Sequence, residues 1–135
     1  MPPGTEMFRT VGAVLILGLS FTTGAQAQPD TLTLACKGTL TTTSQSDTKP
    51  ATISMGLIID FTSKTVQGFG DIPVKITEVT DVSVWFFGQQ NPSAPSINGG
   101  IDRVTGDVEA TYVMHEPINF SAIYTLQCRP AQRMF

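Results

Sequence analysis

Charge is scarce in this sequence. Asp, Glu, Lys and Arg make up 14% of the 135 residues, and the formal net charge is −3. There is no basic stripe of the kind that holds nucleic acid or an anionic membrane surface. Histidine is rarer still: His115 stands alone, beside Glu116. A zinc site takes three or four ligands, usually several His or Cys, so no metal centre is expected. No P-loop, dinucleotide fingerprint or G-x-S-x-G elbow occurs, and neither a cofactor nor a catalytic residue is assigned. Also missing is any long run with apolar residues at i, i+3, i+4 and i+7, which argues against helices.

What is present begins with one apolar run. Residues 11–21, "VGAVLILGLSF", are too few to span a bilayer, which takes about 20. They have the length of a signal-peptide h-region and lead into Ala25-Gln26-Ala27, an A-x-A cleavage site. Residues 1–27 are therefore read as a cleaved signal peptide, and 28–135 as one domain delivered to the periplasm or secreted. Glu6 cancels Arg9 in the n-region, so Met7 makes a better start than Met1. Cys36 follows "LTLA", but Thr33 and Leu34 stand in the wrong order for a lipoprotein signal, and no lipid anchor is expected. No apolar run long enough to span a membrane remains after cleavage.

The two cysteines, Cys36 and Cys128, lie about ninety residues apart and cannot form a redox C-x-x-C. In an oxidising compartment two cysteines usually pair; two buried free thiols are the alternative. Roughly 65% of the extended surface is buried when a domain of this size folds, so a covalent brace helps a modest core.

Period-two alternation recurs along the mature chain. It predicts strands over 31–40, 51–61, 65–69, 74–79, 82–87, 96–101, 107–113 and 120–128. The polar segments "TTTSQSDTKP" and "GQQNPSAPS" read as loops. The fold class is all-β, an antiparallel meander of about eight strands. Cys36 shares a face with Leu32 and Leu34, and Cys128 with Ala122, Tyr124 and Leu126, so both point into the core. A disulfide needs Cα atoms within about 7 Å, which brings the first and last strands together. A small closed barrel does this and removes sheet edges; a two-sheet β-sandwich bridged by the disulfide is the alternative. The expected inward residues include Leu32, Leu34, Ile53, Met55, Leu57, Ile59, Phe61, Val82, Val84, Phe86, Ile97, Ile101, Val108, Tyr112, Tyr124 and Leu126. They are bulky and mostly aliphatic, and a filled interior is expected rather than a ligand pocket.

"IDRVTGDVEA" concentrates charge, yet its spacing is that of a turn. Asp102 can accept backbone N–H bonds from the residues after it, Thr105 sits within the turn, and Gly106 supplies positive φ. Asp107 and Glu109 then fall on the wet face of the next strand, without the buried pair that acid/base catalysis needs. In "VSVWFFGQQ", inward Val84 and Phe86 leave Trp85 and Phe87 outside, where two aromatics in register can anchor a partner. The competing reading is that both pack beneath the following loop or that a bulge turns Trp85 inward.

The segments "TLTLACKGTL", "GFG", "INGGIDRVTGDVEA" and "IYTLQCRPAQRMF" resemble a family of small uncharacterised exported proteins of Gram-negative bacteria. Its marks are a first-strand Cys-x-Gly, an I-D-R-x-T-G hairpin and a Y-x-L-x-C closing strand. The resemblance implies localisation and fold, not activity. A smaller similarity is to periplasmic C-type lysozyme inhibitors, from whose Tyr-x-Cys-x-x-Gly opening Leu34-Ala35-Cys36-Lys37-Gly38 departs. No inhibitory loop of that family is present.

Taken together, these features predict an exported, non-enzymatic barrel that binds a protein or an envelope component, without nucleic acid. Inhibition of a cell-wall hydrolase and carriage of a small apolar ligand are the alternative roles.

Overall fold

The computed structural model describes Gly18 and residues 30–131. Apart from Gly18, the signal-peptide reading, with its A-x-A site and alternative start, lies outside the described residues. So does the Met-Phe end of the closing motif.

Eight antiparallel strands follow one another around a closed barrel: β1 (Thr31–Ser44), β2 (Asp47–Asp60), β3 (Thr65–Gln67), β4 (Val74–Val79), β5 (Ser83–Gln89), β6 (Ser96–Asp102), β7 (Asp107–Met114) and β8 (Phe120–Pro130). No described residue is helical. The ring closes where β8 pairs with β1, with Cys36 opposite Cys128. These two cysteines are disulfide-bonded, their Cα atoms 4.0 Å apart. The fold is thus the barrel and not the sandwich. The bond ties the two strands that chain connectivity leaves furthest apart, where an even-stranded meander has its seam.

Alternation sets the core. Leu34 and Cys36 on β1, Leu57 and Ile59 on β2, Val84 and Phe86 on β5, Ile97 and Ile101 on β6, and Val108 and Ala110 on β7 are all buried. Among the described residues no polar or charged side chain is buried, so the interior is apolar. Strand β3 stops at Gln67, but the chain still delivers Phe69 inward. Its ring packs 5.4 Å from Phe86 and 5.2 Å from Tyr124, stacked on the first and edge-on to the second.

Two sequence expectations fail. "TTTSQSDTKP" is not a loop: β1 and β2 run on together to Ser44 and Asp47, joined by Gln45 and Ser46 at φ 54° and 97°. Two consecutive positive φ values make the mirror-image turn that suits hairpin twist. Its β2 arm is exposed on both faces and its β1 arm, paired with β8 as far as Ser44, is evenly half-buried, so neither carries apolar alternation to read. Its threonines are good strand formers nonetheless, and Thr43 and Thr48 face each other with hydroxyls 3.2 Å apart. Val82, expected inward, is exposed. The hydroxyl of Thr80 accepts the N–H groups of Val82 and Ser83; this tight turn delays β5 to Ser83 and leaves Val82 at the apex.

Strand β3 covers only Ile58, Ile59 and Asp60 of β2. The rest of that β2 edge has no ladder partner among the described residues. Pro50, on this length of β2, has no N–H to offer a further strand, and Lys49 adds charge beside it, both of which discourage edge-to-edge pairing.

Candidate functional site

The turn at 102–106 is built by its own side chain. The Asp102 carboxylate accepts the N–H groups of Val104 and Thr105 at 2.8 and 3.0 Å. Those two bonds, Thr105 first, hold its pKa below the usual aspartate value. Gly106 has φ 81° and donates its N–H to the Asp102 carbonyl. A β-carbon at position 106 would collide with the Cys128 carbonyl. The Thr105 hydroxyl bonds Asp107 at 3.0 Å. The Asp60 turn repeats the design: its carboxylate accepts the Thr62 and Ser63 N–H groups, and Lys64 takes the positive φ that Gly106 takes here. A carboxylate engaged by two backbone donors and kept ionised is a turn clasp, unsuited to act as a general acid.

His115 and the acidic hairpin do not meet. Asp107 begins β7 and His115 follows its end, which separates them by roughly 25 Å at strand rise. The shallow cleft beside His115 is lined by residues such as Thr43, Ser46, Met114 and Phe120, with no carboxylate. Among the described residues no cluster of His, Cys, Asp or Glu is placed to hold a metal ion.

The outer face of β4–β7 has a different character. Trp85 and Phe87 are 50% and 44% exposed, large fractions for aromatic rings. Trp85 lies opposite Gly100, and the six-membered part of its indole occupies the space above that glycine. Without a side chain at position 100 the ring can settle onto the strand backbone. Cross-strand register places Glu78 on one side of Trp85, and Gly100 then Glu109 on the other. A surface groove of about 620 Å³ runs here, lined by Val82, Trp85, Asn98, Gly100, Asp107 and Glu109 among others. Val79 and Val82 extend the exposed apolar surface along the β4–β5 hairpin. None of the carboxylates around the groove is ion-paired among the described residues.

Sequence reading located Trp85 and Phe87 but missed the groove. Its glycine floor and its second wall come from β6 and β7, whose register against β5 is a tertiary property. The signal that pointed to it was the doublet Gly99-Gly100 in a strand, where glycine marks close approach.

Fold and surface together define a small disulfide-braced β-barrel with an apolar core and an aromatic, acid-flanked outer groove. Compared with known protein families, curated proteins and solved structures, the chain matches none of them.

Proposed function

We propose that this chain is an exported, non-enzymatic binding module that docks a basic protein surface against the outer face of β4–β7, with Trp85 as the anchor. The observation that carries this reading is the half-exposed Trp85 seated on Gly100 between Glu78 and Glu109. Interface centres favour Trp, with charged groups at the rim. An Arg or Lys of a partner gains both from the indole face and from the carboxylates beside it. The separation of His115 from the acidic hairpin favours binding over catalysis.

Affinity capture from a Gram-negative envelope extract tests this. The wild-type chain should retain a basic protein that Trp85→Ala and the Asp107→Asn/Glu109→Gln pair both lose. Equal retention by all three forms overturns the proposal.

A further inference from the structure

A second concavity lies at the base of the barrel, inside the mouth. The turn at 102–106 folds across this end and closes a cup of about 380 Å³. Its wall is apolar: Leu32, Leu34, Ile59, Phe61, Val84 and Ile101 line it. This volume lies at the lower end of the range for small-molecule sites. The cup is distinct from the Trp85 groove, which lies on the outside of the sheet.

Two cations line the cup, Arg103 and Arg129. Arg103 is held in place from two directions. Its Nη1 donates to the Thr80 carbonyl at 2.6 Å, and its Cζ lies 5.9 Å from the Phe61 ring centroid. A guanidinium carries five N–H donors, so one bond to Thr80 leaves most of the fork unused. Among the described residues no carboxylate lies within ion-pair distance of it. The adjacent Asp102 carboxylate is engaged by the N–H groups of Val104 and Thr105.

We infer that the cup binds a small amphipathic anion, an apolar body of short-chain length bearing a carboxylate, with the body against Leu34, Ile59 and Ile101 and the head on Arg103. An apolar wall with a few placed polar groups is the usual composition of a small-ligand site, and of those here Arg103 is the one fixed from two directions. The positioned guanidinium selects the sign of the head group.

The test is a titration of the methyl-labelled protein with octanoate, octan-1-ol and octylammonium, followed by NMR. Octanoate should shift the methyl resonances of Leu34, Ile59, Val84 and Ile101 saturably, and bind at least tenfold more tightly than either comparator. Trp85→Ala should leave this unchanged. Arg103→Gln should weaken octanoate severalfold, and Arg103→Gln with Arg129→Gln should bring it down to the level of octan-1-ol. The comparators keep the test valid even if these variants fold poorly. Octylammonium binding as tightly as octanoate, or octanoate shifts confined to residues outside the cup, overturns the inference.

Discussion

Trp85 and Gly100 form a cross-strand pair in which the indole takes the room a side chain at position 100 would need: a β-carbon there would sit 2.7 Å from two ring atoms. The pair fixes how the aromatic is presented. Phe87, opposite Asn98, has no such seat and provides apolar area alone.

The first prediction uses the fact that Trp85 is the only tryptophan. Gly100→Ala displaces the ring into solvent, because the obstructing atoms belong to a movable side chain. Intrinsic fluorescence should shift to the red and quench more readily with acrylamide. Stability should change by less than about 1 kcal/mol, as surface substitutions usually do. An unchanged emission spectrum would show that the ring does not rest on Gly100.

The second concerns the seam. The Cys36–Cys128 bond spans 92 residues, and chain entropy alone assigns such a loop about 4–5 kcal/mol. Replacing both cysteines with alanine should lower the unfolding free energy obtained from urea titration by an amount of that order. A change below about 1 kcal/mol would mean that pairing of β1 with β8 holds the ring closed unaided.

The third compares the two turns. Gly106→Ala forces a side chain into the left-handed region, at a cost of about 1–2 kcal/mol, and adds the collision with the Cys128 carbonyl. Thermal unfolding should show a loss above about 2 kcal/mol. Lys64→Gly removes the strain at the matching position and should gain up to about 1 kcal/mol. Opposite signs at the two sites are the expected outcome.

The fourth is a pH dependence. Asp60 and Asp102 have pKa values lowered by backbone N–H bonds, from Ser63 and Thr62 in one turn and from Thr105 and Val104 in the other. A carboxyl whose pKa is lower in the folded than in the unfolded chain adds stability above the unfolded value and loses it as pH falls through the folded value. Both turns should therefore weaken below the ordinary aspartate range, starting near 3.8. Asp60→Asn and Asp102→Asn keep the acceptor oxygen but remove the charge. Melting temperature followed from pH 6 to pH 2 should fall less steeply in the double variant than in the wild type.

Much of this architecture is legible in the sequence because a barrel buries one face of each strand. Ile53, Met55, Leu57 and Ile59 announce β2 by alternation, and two distant cysteines with inward parity announce the seam. Legibility fails where that physics stops. Beyond Leu40 the β1 arm is evenly half-buried and the β2 arm exposed on both faces, so the Thr-rich strands show no alternation and look like a loop. Val82 has the right parity for the core, but the Thr80 hydroxyl ties the turn and moves it to the apex. The groove and the basal cup escape for another reason. Each combines residues from several strands, and the register shift between Ile76 and Glu78 cannot be read from either strand alone.

Site-specific photo-crosslinking tests the binding face most directly. A photoreactive residue placed at Asn98, within the groove, should crosslink a basic partner in envelope extract, and the yield should fall as salt is raised. The same residue at Thr52, outward-facing on β2, should give no such product. Equal crosslinking from both positions, or from Thr52 alone, would contradict a docking surface centred on Trp85.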